Sequence, residues 1–299
     1  QNSVGTLCGK VDEYGNAANI DGTFEEAEFA APEWVLLDTF GVEKRLLITH
    51  PGTSIRSVNL EQRTVTTVIT QGQGSFRNMQ YSSFDSTGDT LFVSDDNGQN
   101  NQDLRQIAYL LREENFRKAQ AYTYDKCGYS NIYCSTNHTL YYNTYWKAAI
   151  QKAVYDPKTK GMIPQEVFPV FESSDAHSYL FIHPDGLYMY IVGNECISKS
   201  MWDPQTEEFQ EPTVFAGGLG QGGYADAPGT TARFDDPRQG VFVRNEEYAA
   251  AGKKDVYDFY VCDQLNHCIR KVDPDGIVTT YAGRGSASVD GNVWGYIDG

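Results

Sequence analysis

The sequence predicts an all-β chain folded as a β-propeller, and three observations carry that expectation. One pattern of strand, turn, strand, polar turn and strand returns along the chain. Its anchor residues Ile55, Leu104, Ile150 and Ile197 fall at intervals in the forties, and Ile269 follows after a longer gap. A period of roughly 40–50 residues with about four short strands per unit is the signature of a propeller blade. Two copies of the pattern match closely: "LLITHPGTSIRSVNLEQRTVTTVITQGQG" (46–74) and "FYVCDQLNHCIRKVDPDGIVTTYAGRG" (259–285) both run through Ile-Arg-x-Val into a Val-Thr-Thr strand that ends in Gly. The composition agrees, since 20 Tyr and 28 Gly beside 4 Met suit half-buried strands and tight turns. An ordinary β-sandwich with accidental internal similarity is the competing architecture.

The units follow in order. The first, 6–74, opens on a lead-in, "TLCGKVDEYGNAANIDGTFEEAEFAAPEWVLLD" (6–38), that has a counterpart in "TVFAGGLGQGGYADAPGTTARFDDPRQGVFV" (213–243). Both start on a Thr-led strand into Gly, cross an acidic Gly-rich loop, and reach Ala-x-Phe and a Pro before an apolar strand. The second unit, 75–125, holds "LFVSDDNGQNNQDLRQIAYL" (91–110), a strand, an Asp-rich turn and a strand. The third (126–171) and fourth (172–216) repeat strand, turn, strand and then Asp-Pro. The fifth, 217–285, is lengthened by the loop around 217–231 and by the Ala-rich insertion "RNEEYAAAGKKDVYD" (244–258). Residues 286–299 end in "GNVWGYIDG", which matches "NAANIDG" (16–22), so they read as the start of a further unit. The expectation is a six-bladed propeller whose last blade is incomplete, short by about one period or ~40 residues. Its rival is a five-bladed ring with 286–299 as a tail. Ring closure by an N-terminal strand would leave no long sheet edge bare.

Charge and composition narrow the function. Lys+Arg 24 against Asp+Glu 40 gives a net charge of −16, with no basic run. A phosphate backbone is gripped by clustered Lys and Arg, so nucleic acid is not an expected partner. No apolar run approaches the ~18 residues of a membrane helix, so no transmembrane segment is expected. The chain begins at Gln1 with no charged-then-apolar leader, which reads as a processed or trimmed start with any export signal outside it. Six Cys are too few for a disulfide-built scaffold of 299 residues. Cys127 with Cys134, and Cys262 with Cys268, are the pairs that sequence proximity offers for bridges; isolated half-buried thiols are the favoured reading. Neither pair has the C-x₂₋₄-C spacing of a structural zinc site.

At "CDQLNHCIRKVD", "VTTYAG" and "ARFDDPRQGVFV" the sequence resembles the NHL repeats, closely in the first and fifth units and loosely between them. That resemblance implies a propeller, usually of six blades. With an acidic chain it is similar to bacterial exported lipoproteins that pair an immunoglobulin-like IPT/TIG domain with an NHL propeller. The implied partner domain would lie N-terminal to this sequence, and the implied location is the periplasm or cell surface.

Propeller function sits where the loops leading into each inner strand converge. Those loops supply Glu33 and Trp34 in the first unit, Arg77 and Asn78 in the second, His177 and Tyr179 in the fourth, and Asp236 and Arg238 in the fifth. An aromatic beside guanidiniums and carboxylates can hold a sugar or a carboxylated ligand by stacking and paired hydrogen bonds. The competing and slightly favoured reading is that these groups pair with one another. Of the five histidines, only His138 and His177 have a claim on the channel, and no His-x-His or His-x-x-x-His spacing offers a metal centre. His267 reads as a turn residue and His183 as a turn flank. "SDDNGQNNQD" (94–103) lacks the order of an EF-hand loop and reads as a hairpin tip. Asp95 and Asp263 read as turn caps. No nucleophile elbow or phosphate loop occurs, so neither cofactor nor metal is expected. The sequence points to a non-catalytic propeller that binds a carbohydrate, peptide or protein. The alternative is a metal-dependent hydrolase or lyase at the channel mouth.

Overall fold

The computed structural model describes residues 5–12, 17–50, 54–70, 79–96, 105–117, 119–122, 127–144, 149–156, 161–169 and 178–283. The chain forms two compact units, one of Thr6–Val170 and one that takes in Phe171 onward.

The first unit holds three antiparallel sheets, in chain order. Sheet 1 contains β1 (Gly22–Thr23), β2 (Trp34–Asp38), β3 (Arg45–His50), β4 (Ser54–Asn59) and β5 (Thr64–Thr70), in the spatial order β1-β5-β4-β3-β2. Sheet 2 is β6 (Met79–Phe84), β7 (Thr90–Asp96), β8 (Arg105–Leu111) and β9 (Ala119–Tyr122). Sheet 3 is β10 (Cys127–Cys134), β11 (Thr139–Thr144), β12 (Ala149–Asp156) and β13 (Gly161–Pro169). The second unit holds two more. Sheet 4 contains β14 (Tyr179–Ile182), β15 (Tyr188–Gly193), β16 (Cys196–Asp203), β17 (Glu208–Phe209) and β18 (Thr213–Gly217), with β17 and β18 both on β16. Sheet 5 contains β19 (Ala227–Pro228), β20 (Pro237–Arg244), β21 (Tyr257–Asp263), β22 (Cys268–Val272) and β23 (Ile277–Gly283), in the order β19-β23-β22-β21-β20. A short helix, α1 (Glu246–Ala250), fills the insertion between β20 and β21, its N-terminus capped by the Asn245 side chain.

The six-blade expectation is corrected. The described residues form five sheets, because each set of four strands consumes one sequence period and five periods are used up by Gly283. Residues 286–299, expected to open a further unit, lie outside the described residues, as do Leu104 and the 97–104 hairpin tip.

The repeat is exact at the level of register. A β-bulge follows Ile55, Ile150, Ile197 and Ile269, each on the third strand of its sheet. A bulge adds one residue to one strand and sharpens the twist, so its recurrence fixes these four isoleucines as one position. Three of these sheets align row by row through the paired residues. Leu36-Leu47-Ser57 in sheet 1 corresponds to Phe181-Tyr190-Lys199 in sheet 4 and Val241-Tyr260-Lys271 in sheet 5.

Successive sheets within a unit pack face to face on apolar residues. Leu47, Ile55 and Ile69 of sheet 1 meet Met79, Leu91, Val93 and Ala108 of sheet 2. Phe92, Ile107 and Tyr109 of sheet 2 meet Leu140, Tyr142 and Ala153 of sheet 3. Each such side chain contributes ~1.5–3 kcal/mol by leaving water. Between sheets 4 and 5 the contact is aromatic, with Tyr190 at 5.3 Å from Phe242 and 5.1 Å from Phe259.

A second repeated device ties each lead-in loop to its own sheet. Arg56 is fully buried; its guanidinium donates to the carbonyls of Ile20 and Glu28 and to Asp21 Oδ1 at 2.9 Å. Arg270, equally buried, donates to the carbonyls of Ala225 and Arg233 and to Asp226 Oδ1 at 2.7 Å. Asp21 also accepts the Thr67 amide and hydroxyl, and Asp226 accepts those of Thr280. This clamp is why the "IRSV" and "IRKV" motifs and the Asp of each lead-in travel together.

Cys134, Cys262 and Cys268 are free thiols, the favoured reading over the alternative of bridges. Cys262 pairs with Ile269 whereas Cys268 pairs with Asp263, so the two sulfurs point to opposite faces of sheet 5. Cys127 and Cys134 stand at the two ends of one strand, β10, beyond the ~7 Å Cα limit for a bridge.

Candidate ligand-binding ends of the two units

In the first unit, the loop into β2 turns on Ala31, which takes φ 45° immediately before Pro32. The Glu33 amide donates to Thr49 O at 3.1 Å, and Glu33 itself is exposed. Trp34 is buried, 5% exposed; its indole N–H donates to Ser82 O at 3.0 Å and its ring meets Tyr81 edge-on at 4.5 Å. Strand alternation turns the indole into the gap between sheets 1 and 2, so it wedges two sheets together instead of offering a stacking face. Nearby, the fully buried His50 ring bonds through Nδ1 to Ala30 O at 2.8 Å. Burial pushes its pKa below the usual imidazole range, so the ring is neutral and Nδ1–H is the donor. Arg77 and Asn78 lie outside the described residues.

The second unit repeats this turn. Asp236 takes φ 55° immediately before Pro237, matching Ala31 and Pro32. A non-glycine residue in this region before proline is disfavoured, so its recurrence marks a conformation the surroundings enforce. They do so here through the Asp236 amide, which donates to Glu195 Oε2 at 2.9 Å, and through Gln264 and Leu265, whose amides donate to the carbonyls of Asp236 and Asp235. The Asp235 amide donates to the buried Asp263 at 2.7 Å. Asp263 also accepts Asn266 and Arg270, which makes it a structural anchor.

Arg238 donates through Nε and an η nitrogen to Asp236 Oδ2 at 3.0 and 2.9 Å, with both side chains about one-third exposed. The expectation that the site groups pair with one another is the arrangement seen at this position. Tyr179, at the start of β14, is 1% exposed. Its partner across the sheet, Val192, holds the place that Thr49 holds opposite Trp34. The two expected ligand-facing aromatics therefore occupy one repeat position, and both serve the core. His177 lies outside the described residues. Trp34 and Glu33 belong to the first unit, and Tyr179, Asp236 and Arg238 to the second.

His138 is corrected in position. It sits in the turn after β10 with φ 54°, hydrogen-bonded to Tyr133 OH at 3.1 Å, at the end of the sheet away from the lead-in loops. His183 is buried and bonds to Asp255 at 3.1 Å; Tyr188 OH donates to the same carboxylate at 2.7 Å. Lys199 lies over the Tyr188 ring at 3.7 Å. Burial pushes the Tyr188 pKa up and that of Lys199 down. Neither this cluster nor Glu195 is legible from a local motif, because their partners are brought together from distant parts of the chain.

Among the described residues no three His, Cys, Asp or Glu side chains gather as a metal set. Burial pushes Cys196 up to about 11 and Cys268 up to about 12, which keeps both as thiols at neutral pH. Also among the described residues, no helix is long and apolar enough to cross a membrane.

Solved structures supply the comparison. An auxiliary nutrient binding protein from Bacteroides thetaiotaomicron is 29% identical with a TM-score of 0.85, over 99% of this chain and 67% of that one. A second auxiliary nutrient binding protein, from Bacteroides ovatus, is 28% identical with the same TM-score of 0.85, over 99% of this chain and 67% of that one. The fold is a β-propeller. A third similar structure, named as a candidate phosphatase from Bacteroides thetaiotaomicron, is 28% identical with a TM-score of 0.83, over 100% of this chain and 70% of that one. No protein-family model matches this chain, and no curated protein does.

Proposed function

We propose that this chain is a non-catalytic, ligand-binding propeller of an exported bacterial protein, located at the periplasm or cell surface, and that its ligand is a carbohydrate or a peptide. The observation that carries the reading is the half-buried Asp236–Arg238 pair on an enforced turn at the lead-in end of sheet 5. The Asp236 carboxylate holds the planar Arg238 guanidinium at the turn, and a guanidinium beside a carboxylate is a pairing suited to ligand hydroxyls and carboxylates. Glu195 fixes the turn, Glu33 presents an exposed carboxylate at the matching turn of the first unit, and Trp34 and Tyr179 hold the inner strands beneath these turns. Arg77 and His177 complete the proposed set by sequence position. The names of two of the similar structures, auxiliary nutrient binding proteins, support binding. The resemblance to NHL repeats and to exported IPT/TIG–NHL lipoproteins supports export.

An array of glycans and peptides probed with the chain and with R238A tests it. The expected result is a set of related hits that R238A loses by tenfold or more, ~1.4 kcal/mol. Hits of equal strength for both proteins would contradict the site. The second reading, a hydrolase, rests on the name of the third similar structure. Metal-dependent turnover of an aryl phosphate by the wild-type chain would favour it over binding alone.

A further inference from the structure

Lys199 is a lysine that the repeat leaves without a carboxylate. Its row position holds Ser57 in sheet 1 and Lys271 in sheet 5, and Lys271 Nζ lies 3.8 Å from Asp258. Among the described residues Lys199 makes no hydrogen bond and no ion pair, and it contacts rings instead. Its Nζ stands 3.7 Å from the Tyr188 ring centre, 4.6 Å from Phe215 and 5.8 Å from Tyr190. Tyr190 stacks on Phe215 at 5.5 Å and tilts against Tyr188 at 4.8 Å, so the three rings form one apolar wall. The two carboxylates whose charge reaches the amine are bonded elsewhere. Asp255 accepts His183 Nε2–H at 3.1 Å, Tyr188 OH at 2.7 Å and the Tyr257 amide at 3.1 Å, and Asp275 accepts Lys253 at 3.2 Å. Burial lowers the Lys199 pKa in spite of both carboxylates, which favours the free amine. The side chain is half-buried, so solvent still reaches it. All of these residues except Ser57 belong to the second unit.

We propose that Lys199, set against the Tyr188–Phe215 wall, is a covalent capture site for small neutral aldehydes, which its amine takes up as an imine. A lysine desolvated among apolar groups is the form of this side chain that attacks carbonyl carbon. The step balances without a co-reactant. The Nζ–C bond forms, the carbonyl oxygen leaves as water with two of the ammonium protons, and the product is a protonated imine. The single positive charge therefore stays on Nζ, where the ring faces attract it. Acylation would erase that charge, so an acyl donor is the poorer electrophile here. An anionic aldehyde is disfavoured by the Asp255 and Asp275 charges. The aldehyde's own apolar group meets Phe215, which is half-buried beside the amine. This site is separate from the Asp236–Arg238 turn, and neither reading depends on the other.

Limiting benzaldehyde with sodium cyanoborohydride, applied to the 299-residue chain at neutral pH, fixes any imine as a stable benzylamine. Peptide mass spectrometry then reads the extent of labelling at each lysine. Each unit by which burial lowers an amine's pKa raises its free fraction about tenfold. Lys199 is accordingly expected to label about tenfold or more faster than Lys44 and Lys254, which are both exposed. F215L, which removes a ring and keeps an apolar side chain, is expected to lose most of that preference while the circular dichroism spectrum is retained. Lys199 labelling no faster than Lys254 in the wild-type chain overturns the proposal, whatever the variant does. So does a folded F215L that keeps the full preference, because the ring wall would then have no part in the capture.

Discussion

Arg56 and Arg270 are the residues on which the repeat most plainly depends. Each is wholly buried and holds a lead-in carboxylate and two lead-in carbonyls against its own sheet. Removing one partner of a buried pair leaves the other uncompensated, at ~3–5 kcal/mol. R270M is therefore expected to destabilise sheet 5 by that order, since it strands Asp263, which is 0% exposed. Hydrogen exchange of the Thr280 amide, a donor to Asp226, should accelerate at least a hundredfold while that of Thr67 in the other unit is unchanged. Equal exchange in both proteins would contradict the clamp. His50 gives a pH test. Its pKa is depressed by burial, so the folded chain resists a proton that the unfolded chain accepts near 6.5. The contribution is fully present above that value and is lost as pH falls through the lower folded value. The urea midpoint of the first unit should thus decline from pH 7.5 to 5.5, and H50N should flatten that part of the decline. A wild-type midpoint with no such decline would contradict the neutral ring.

At the scale of the element, the anchor isoleucines were legible from the sequence because period and burial coincide there: a buried residue preceding a bulge recurs with its turn chemistry intact. The roles of Trp34 and Tyr179 were not. Sequence order places both after a lead-in loop, but whether such a side chain faces the loop end or the neighbouring sheet depends on strand register, which a bulge or a one-residue slip reverses. Here both turn inward. W34F is expected to keep the wedge but leave Ser82 O without its donor, costing ~1–3 kcal/mol in the first unit, and W34A to cost ~3–5 kcal/mol by leaving a cavity. Ligand affinity lost in W34F without any change in stability would restore the stacking role. The glycine that closes the outer strand was also visible as a motif, and the structure supplies its reason. Gly217 takes φ 84°, and an added Cβ would stand 2.6 Å from Glu195 O. G217A should destabilise the second unit by ~1–3 kcal/mol and disturb the Glu195–Asp236 contact.

For the whole molecule, repetition spreads one structural solution over the five described sheets, and the copies differ at a few positions. Turns at Ala31 and Asp236 share a backbone, yet one carries an exposed glutamate after its proline and the other an arginine paired to its own aspartate. Such differences could be located in the sequence as departures from the repeat, but their pairing could not, because Glu195 reaches Asp236 from a hairpin 41 residues away. The central proposal is that the chain binds a ligand at the Asp236–Arg238 turn and releases it unchanged. Calorimetric titration of an array-selected ligand against wild type and R238A, with the ligand recovered and weighed by mass spectrometry, tests both halves together. The account predicts saturable binding to wild type, at least tenfold weaker binding to R238A, and a ligand of unaltered mass. A recovered ligand that has been cleaved or dephosphorylated, or affinity untouched by R238A, would contradict it.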